Sequence, residues 1–465
     1  MDKNWKLDVT EDTESLLSSN ERTTIPEISS WNRRKIHRRP RSMLQTFVCG
    51  SLCIVGLFLL IYIPLFSHYN ARIFPLSNWG YNTSRNTSDY VLPSQDTVMV
   101  FPRDVCDSNN KFFLLIMVSS ALGNFQARQN IRETWGNTTE FNYPMFWKFH
   151  SKLKGKFLDL RQKDIEKYRM FLNMTDEDLT QKFSKDEDRN NTLRYHNVPV
   201  KIVFLIGRNI YDPYLGNGTQ TRLDNEIREF GDILQEDFLD TYNNLTIKSV
   251  MMLKWIAETR CHEKFKFLVK CDDDSFINLP NLLHYLLGGT LPLYNSTVYM
   301  YDEKSYKVLN ERNRLTQASN LLIGYKFCNS KPIDSVTNKW YMPYYMFPND
   351  TYPNYLSGGS YLMSSDIVPK LYTSALSSSL IYLEDIFITG ISAEHAKIKR
   401  QHNPLFLFNY AKNKCALKGV LTEHYIKDDH MRDSYHFLVN FGNRCPYVDR
   451  KILTKNLRNS KNVCH

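Results

Sequence analysis

One feature near the N-terminus limits what this chain can fold into, an apolar run from Leu44 to Phe66. No Lys, Arg, Asp or Glu occurs between Arg41 and Arg72, and the run is long enough to cross the ~30 Å of hydrocarbon in a bilayer. The alternative is a cleaved signal peptide, whose apolar core is shorter, roughly 7–15 residues, and starts closer to the first residue. The run therefore predicts a transmembrane anchor over residues 42–66.

Basic residues immediately before the run predict its orientation. Lys and Arg accumulate on the cytosolic side of membrane anchors, so we expect residues 1–41 to form a cytosolic tail and the chain after the run to lie in the lumen of the secretory pathway. The same cluster accounts for much of the formal net charge of +10, which therefore does not indicate a nucleic-acid partner. The cluster consists of Arg33, Arg34, Lys35, Arg38, Arg39 and Arg41.

Sequons and cysteines are consistent with a lumenal location. All nine N-x-S/T sequons follow the anchor, as N-glycosylation in the lumen requires. Seven of the nine cysteines also follow it, so in an oxidising compartment at least one stays unpaired. Six partners can pair in about fifteen ways. We expect Cys271 to be the free thiol because it adjoins an acidic cluster. The sequons lie at Asn82, Asn86, Asn137, Asn173, Asn190, Asn217, Asn244, Asn295 and Asn349.

The lumenal part divides into a stem and one large domain. Residues 67–105 carry Asn, Ser, Thr and Pro between scattered apolar residues, which predicts a stem. The folded domain is expected over residues 106–465, because a chain that is 42% hydrophobic can bury a sizeable core. Within this domain, residues from about 140 to 197 are dense in charge and weakly periodic. That pattern is typical of an inserted surface loop, here with room for one helix.

Short apolar runs predict the fold class. Phe112–Val118, Val198–Ile206 and Phe265–Val269 are continuous apolar runs of the kind that form buried parallel strands. Between the last two runs, Thr246–Glu258 carries apolar residues at helical spacing. Strands and helices therefore alternate, which predicts an α/β domain.

Three consecutive carboxylates, Asp272, Asp273 and Asp274, follow the third apolar run. Open α/β sheets place ligand crevices at the carboxyl ends of strands, and adjacent like charges there repel one another unless a cation neutralises them. Magnesium or manganese prefers oxygen ligands and can hold the two phosphates of a nucleotide-sugar. The triplet therefore predicts a divalent-metal site, with a solvated acidic turn as the alternative.

A second acidic pair, Glu384 and Asp385, lies against an apolar stretch that ends at Gly390. Apolar surroundings raise the pKa of a carboxyl group towards the range that is useful to a general base. The pair is therefore a candidate catalytic site. The alternative for Asp385 is a helix cap or an ion-pair partner.

Two further segments could contact a ligand. Tyr352–Tyr361 combines aromatic rings with paired glycines that begin at Gly358, and it predicts a close backbone approach to a ligand with Tyr361 against a sugar face. An ordinary glycine turn is the alternative. Arg128 and Arg132 lie four residues apart on one face of a predicted helix, where they could bind either phosphates or structural carboxylates.

In this order, the segments resemble the β-1,3-galactosyltransferase and β-1,3-N-acetylglucosaminyltransferase family of Golgi enzymes. The resemblance extends from Lys111 to His436, and seven ordered matches are hard to obtain by chance. The motifs are Arg128–Gly136, Phe204–Gly207, Asp232–Thr246 with Lys248, Asp272–Asp274, Tyr352–Tyr361, Glu384–Gly390 and Val420–His424.

The resemblance implies a GT-A type nucleotide-sugar-binding fold, with a mostly parallel central sheet flanked by helices, and an inverting single displacement. It implies that Asp274 binds the metal and that Asp272 and Asp273 lie near the uridine ribose and the donor sugar. It also implies that Asp385, beside Glu384, deprotonates the acceptor hydroxyl.

His424 is one of twelve histidines, and by itself it predicts a packed or surface residue. In the resemblance it matches a second metal ligand, although its neighbours Glu423 and Tyr425 differ from the usual residues. The charged insertion is a second departure from the family pattern, and it leaves the acceptor open.

The implied activity is transfer of galactose, or else N-acetylglucosamine, from a UDP-sugar to the 3-hydroxyl of a terminal sugar on a glycoprotein or glycolipid. The implied cofactor is Mn²⁺ or Mg²⁺, and the implied location is the Golgi membrane, with the catalytic domain in the lumen. The alternative is a non-catalytic chaperone or glycan-binding protein on the same fold. Loss of the Asp triplet or of the Glu-Asp pair would favour that alternative, and both are present.

Overall fold

The computed structural model describes residues 51–53, 55–58 and 60, and then residues 79–465 except 82, 107–109, 154, 175–195, 209–217, 312–314, 316–317, 427–428, 449, 460–463 and 465. The chain divides into two units, Met1–Tyr69 and Asn70–His465. In the first unit the described residues are helical and expose apolar side chains such as Leu57 and Leu60. None of the helices in the described ranges is both long and apolar enough to span a membrane. Most of the predicted anchor and the whole predicted tail lie outside those ranges.

The second unit is built on a mixed eight-stranded sheet with the strand order β1-β4-β3-β2-β5-β8-β7-β9. A separate two-stranded sheet pairs β6 with β10. The strands are β1 (Val98–Val100), β2 (Phe112–Ser119), β3 (Val200–Arg208), β4 (Ile233–Leu239), β5 (Phe265–Asp272), β6 (Phe276–Ile277), β7 (Leu322–Phe327), β8 (Tyr355–Ser364), β9 (Arg400–His402) and β10 (Thr422–Glu423).

The centre of the sheet is parallel. Strands β4, β3, β2 and β5 run in the same direction, so their carboxyl ends meet at one edge. Strand β8 pairs antiparallel with β5, β7 pairs antiparallel with β8, and β9 is parallel to β7. Strand β1 closes the other side antiparallel to β4. The prediction of an α/β domain with a mainly parallel central sheet is confirmed.

Helices connect and cover the strands. Helix α7 coincides with the segment whose apolar spacing predicts a helix, and α8 begins with a side-chain cap from Asn278 followed by Pro280 at the second helical position. The helices are α1 (Ser88–Val91), α2 (Phe125–Glu133), α3 (Tyr143–His150), α4 (Gln162–Lys167), α5 (Arg169–Leu172), α6 (Gly218–Phe230), α7 (Leu245–Glu258), α8 (Leu279–Leu286), α9 (Glu303–Tyr306), α10 (Val368–Leu376), α11 (Ala393–His395), α12 (Asp429–Val439) and α13 (Arg450–Asn459). Shorter 3-10 turns include Tyr242–Asn244, and a π-helix spans Ile386–Ser392.

The sheet separates two apolar clusters, which explains why β2 has no polar residue before its last position. Ile116 and Val118 face a cluster that includes Phe146 of α3, whereas Leu115 and Met117 face a cluster that includes residues of α7. A strand that is buried on both faces has no position for a polar side chain. This is the physical reason for the continuous apolar run.

Packing begins earlier in the chain than the predicted start of the domain at residue 106. Within the range assigned to the stem, Trp79, Val91 and Val105 are buried, and β1 is part of the sheet. The predicted insertion is also more ordered than a surface loop where it is described, because α3, α4 and α5 lie in it and Phe146 is fully buried. Its most charged part, residues 175–195, lies outside the described residues.

Three disulfides link distant parts of the domain. The pairs are Cys106–Cys261, Cys328–Cys464 and Cys415–Cys445. Cys271 is buried and forms no disulfide, so the expectation that it is the free thiol is confirmed. Burial raises the pKa of its thiol well above the usual value, which keeps it neutral and unreactive.

Candidate active site

Two carboxylates and an imidazole meet where β5 ends. Candidate ligand atoms of Asp272, Asp274 and His424 lie within 4.8 Å of one another. The His424 Nε2 atom is 3.2 Å from Asp274 Oδ1 and 3.7 Å from Asp272 Oδ2. This set contains Asp274 and His424, the two predicted metal ligands, and adds Asp272.

The small sheet explains how His424 reaches the triplet from about 150 residues away in the chain. Strand β6 starts two residues after Asp274, and it pairs antiparallel with β10, which ends one residue before His424. The backbone N–H of Ile426 also donates to the carbonyl of Asp274 at 2.8 Å. Two carboxylates with one imidazole are donors that suit a divalent cation with both oxygen and nitrogen affinity.

Asp273 points away from this cluster. Its Oδ2 accepts hydrogen bonds from Ser120 Oγ at 2.7 Å and from Asn124 Nδ2 at 2.9 Å. Burial raises the pKa of Asp273, and these two donors oppose that rise. The sheet register makes the contact possible, because Ser119 is opposite Asp272 and Ser120 follows at the same edge.

The arginines of α2 contact protein groups. Arg128 is fully buried and uses its guanidinium to bind both carboxylate oxygens of Glu226, at 2.9 and 2.7 Å, and the hydroxyl of Ser120 at 3.1 Å. Arg132 binds Glu226 at 2.7 Å and both oxygens of Asp232 at 2.8 Å. Their predicted contact with a phosphate stays untested, and these bonds favour the structural alternative. Arg128 still affects the site, because it holds the serine that contacts Asp273.

Lys270 joins the two acidic segments. Its ammonium lies 2.7 Å from Asp272 Oδ1 and 3.4 Å from Glu384 Oε2, and it donates to the carbonyl of Gly358 at 2.9 Å. Burial lowers the pKa of Lys270, but the charges of these two carboxylates more than offset burial and raise it. Tyr361 donates its hydroxyl to Glu384 Oε1 at 2.7 Å.

Tyr361 therefore has a different role from the one its sequence context predicts. Its side chain is fully buried, so its ring cannot lie against a sugar. The hydroxyl fixes Glu384, which is itself buried and held by Lys270. Strand β8 alternates its side chains across a sheet that is covered on both faces, and this places the ring in the core.

The fold moves the pKa of Asp385 into the physiological range. This residue begins the π-helix, and its Oδ1 accepts from the backbone N–H of Ile386 at 2.9 Å. Burial, and then the charge of Glu384, raises the pKa of Asp385 to about 7. Asp385 thus caps a helix, as one interpretation has it. Its raised pKa agrees with the other interpretation, a general base, which stays a prediction.

The paired glycines give room to side chains of the site itself. A Cβ atom on Gly359 would lie 2.5 Å from the Cγ and Nδ1 atoms of His424. A Cβ atom on Gly358 would lie 3.3 Å from the Cβ atom of Asp385. The close approach of this backbone to a ligand stays a prediction, and among the described residues the paired glycines lie against His424 and Asp385.

Several groups of the site were not singled out from the sequence. Ser120, Asn124 and Lys270 each contact an acidic residue described above. Of these three residues, only Lys270 could have been recognised from the sequence, because a lysine inside an otherwise apolar, buried strand needs a counter-ion. Ser120 and Asn124 carry no local pattern, since their contact with Asp273 depends on the pairing of β2 with β5.

Comparison with known proteins agrees with this arrangement. Residues 183–404 match the model of the galactosyltransferase family, a range that holds both acidic segments but ends before His424. Beta-1,3-galactosyltransferase 1 of Homo sapiens and of Mus musculus is 29% identical over 328 residues, which are 70% of this chain and 73% of the relative. Lactosylceramide 1,3-N-acetyl-beta-D-glucosaminyltransferase A of Danio rerio is 31% identical over 307 residues, 65% of this chain and 59% of the relative. These matches support the resemblance of the chain to the galactosyltransferase family.

Proposed function

We propose that this protein is an inverting β-1,3-glycosyltransferase with a GT-A type fold. It transfers galactose, or N-acetylglucosamine, from a UDP-sugar to the 3-hydroxyl of a terminal sugar. The observation that carries this proposal is the placement of a cation-binding cluster and a carboxyl group of raised pKa at the same edge of the sheet, joined through Lys270. A transferase of this kind needs both parts, one for the donor phosphates and one for the acceptor hydroxyl.

The donor half of the proposed site is the end of β5. Asp272, Asp274 and His424 would hold Mn²⁺ or Mg²⁺, which when bound neutralises charge on the phosphates of the departing UDP. Asp273 is fixed through one oxygen by Ser120 and Asn124, and we assign it to a hydroxyl of the uridine ribose or of the donor sugar.

The acceptor half is Asp385. Its carboxylate takes the proton of the acceptor 3-hydroxyl while that oxygen forms a bond to the anomeric carbon of the donor. The bond from the anomeric carbon to the phosphate oxygen breaks, and UDP leaves with the electron pair. One displacement from the opposite face inverts the anomeric centre, which gives a β linkage from an α-linked donor. Glu384 orients this segment through Tyr361 and Lys270, which contact its two oxygens.

The choice of donor is left between two sugars because the relatives are named for different ones, a galactosyltransferase and an N-acetylglucosaminyltransferase. We further propose a single-pass type II protein of the Golgi membrane with the catalytic domain in the lumen, acting on glycoprotein or glycolipid acceptors. The apolar run with its basic flank, the sequons and the three disulfides support this location.

A donor screen tests the proposal. The full-length chain in detergent is given UDP-galactose, UDP-N-acetylglucosamine or UDP-N-acetylgalactosamine with simple β-glycosides, in Mn²⁺, in Mg²⁺ and in chelator. We expect metal-dependent transfer from one donor and a β-1,3 linkage in the product by NMR. A folded protein that transfers none of these sugars would contradict the proposal and favour the non-catalytic alternative, a chaperone or glycan-binding protein on the same fold.

A further inference from the structure

Three aromatic side chains near the candidate active site are half-exposed. Tyr242 is 42% exposed, Trp340 is 46% exposed and Tyr425 is 44% exposed. The aromatic residues that the sequence points to, Tyr352 and Tyr361, are buried. When a ligand covers a large, partly exposed ring, apolar surface leaves water and the complex is stabilised.

The ring of Tyr425 is fixed beside the cation-binding cluster. It stacks on the imidazole of His424 with a centroid separation of 3.9 Å and an interplanar angle of 27°. The backbone of Tyr425 has a φ of +63°, a conformation that favours glycine, and the next residue is anchored by the bond from Ile426 to Asp274. A strained backbone held by its neighbours keeps this ring at the site.

Tyr242 and Trp340 form a second group of rings. Tyr242 lies in the turn after β4, at the sheet edge where Asp272 ends β5, and the side chain of Trp340 lies beside its hydroxyl. Burial, and then the charge of Asp385, raises the pKa of the Tyr242 phenol, with the charges of Asp272 and Tyr425 adding to the rise. The ammonium of Lys339 lies 4.5 Å from the centroid of the Tyr242 ring.

Trp79 links the two segments that carry this pair. Its indole Nε1 donates to the carbonyl of Asn243 at 2.8 Å, and its own carbonyl accepts from the Tyr345 hydroxyl at 2.5 Å. Trp79 is 2% exposed. One buried residue thus ties the turn that carries Tyr242 to the loop that carries Trp340, so the pair is ordered before a ligand arrives.

We propose that Tyr242, Trp340 and Tyr425 form an aromatic platform that binds the apolar C–H face of the acceptor sugar. This inference rests on the proposed function and names the acceptor part of that site. Pyranose rings present C–H groups on one face and hydroxyls around the rim, and flat aromatic rings complement such a face. Tyr425 stacks on His424 of the cation-binding cluster, and Tyr242 follows β4 at the same edge of the sheet, so a sugar lying on the platform can direct a rim hydroxyl to Asp385.

Acceptor kinetics test the platform with matched variants. Tyr242→Ala and Trp340→Ala remove a ring, whereas Tyr242→Phe keeps the ring and removes the hydroxyl. Phe101→Ala is the control, because Phe101 is 56% exposed and lies away from the site. It follows β1, whose end lies beside the start of β4 because the two strands are antiparallel, whereas the site is at the carboxyl end of β4. The full-length chain is used with methyl β-galactopyranoside or methyl β-N-acetylglucosaminide, whichever the unaltered protein glycosylates.

We expect both alanine variants to raise the acceptor KM roughly tenfold or more, a change that corresponds to the loss of about 1.4 kcal/mol of binding. The KM for the UDP-sugar and the rate of metal-dependent UDP-sugar hydrolysis without acceptor should stay within about twofold, since neither ring is assigned to the donor. Tyr242→Phe and Phe101→Ala should leave the acceptor KM near that of the unaltered protein. An unchanged acceptor KM in both alanine variants, or a rise in the donor KM instead, would overturn the platform.

The outcomes separate the platform from the proposed function. Transfer by the unaltered protein with unchanged acceptor KM in the variants refutes only the platform. Absence of transfer by the unaltered, folded protein refutes the proposed function and the platform with it. A melting temperature that matches the unaltered protein shows that an alanine variant has kept its fold, and the half-exposed positions make this the expected result.

Discussion

Replacement of Asp385 by Asn should greatly slow transfer and yet stabilise the protein at neutral pH. The fold raises the pKa of this carboxyl from 3.8 to about 7, roughly three pKa units. Each unit corresponds to about 1.36 kcal/mol, so the ionised carboxylate costs up to about 4 kcal/mol of folding free energy. Asn keeps the side-chain oxygen that accepts from Ile386, and therefore keeps the helix cap without the charge.

The pH dependence of this effect has a definite sign. Because the folded state holds the Asp385 proton more tightly than the unfolded chain, it binds more protons between about pH 4 and pH 7. The contribution of protonated Asp385 to the free energy of unfolding is fully present below pH 4, and it is lost as the pH rises through about 7. Asp385→Asn has no proton to lose, so its advantage over the unaltered protein should grow across the same window.

Urea unfolding of the full-length protein at several pH values, in chelator, measures the difference. We expect Asp385→Asn to match the unaltered protein near pH 4 and to exceed it by up to about 4 kcal/mol at pH 8. Transfer at pH 8 should fall roughly 100- to 10 000-fold, the usual contribution of a general base. Asp334→Asn, at an exposed carboxylate, is the control and should change neither quantity. An advantage that does not grow with pH would refute the argument for a buried, costly carboxylate.

Three further changes test other parts of the site. Gly359→Ala should displace the His424 imidazole, because a Cβ would lie 2.5 Å from its Cγ, and a Mn²⁺ titration of transfer should show a weaker apparent affinity. Ser120→Ala removes a hydrogen bond that orients Asp273, so we expect the KM for the UDP-sugar to rise several-fold with the acceptor KM unchanged. Lys270→Met leaves the buried Glu384 and the partly exposed Asp272 without their cation, and urea unfolding should show a loss of about 3–5 kcal/mol. An unchanged Mn²⁺ affinity would contradict the expectation for Gly359→Ala, and an unchanged donor KM would contradict that for Ser120→Ala. An unchanged unfolding midpoint would contradict the expectation for Lys270→Met.

The fold could be predicted from the sequence where the pattern is local. Continuous apolar runs mark β2, β3 and β5 because a strand buried on both faces has no position for a polar side chain, and helical spacing marks α7. The segment before residue 106 could not be placed in this way. Trp79 is anchored by a hydrogen bond to the carbonyl of Asn243, 164 positions away, and no local pattern reports such a contact.

The candidate site could likewise be predicted from the sequence only where its residues form a local pattern. The acidic triplet and the Glu384-Asp385 pair stand out because they interrupt or border apolar segments. The partners of these carboxylates depend on strand pairing, as the approach of Ser120 to Asp273 shows. The burial of Tyr361 and the exposure of Tyr242 also depend on the tertiary packing around each ring. The sequence therefore predicted a ligand contact for Tyr361, which is buried, and did not single out Tyr242, which is exposed.

The central claim is that the cluster at the end of β5 holds the divalent cation on which sugar transfer from the UDP-sugar depends. It is tested most directly by the initial rate of sugar transfer from the donor found in the screen, measured for the full-length protein and for Asp274→Asn in Mn²⁺ and in chelator. The account predicts rapid transfer by the unaltered protein in Mn²⁺, and loss of transfer both in chelator and in the variant. Equal rates for the unaltered protein with and without chelator, together with an active Asp274→Asn variant, would contradict it.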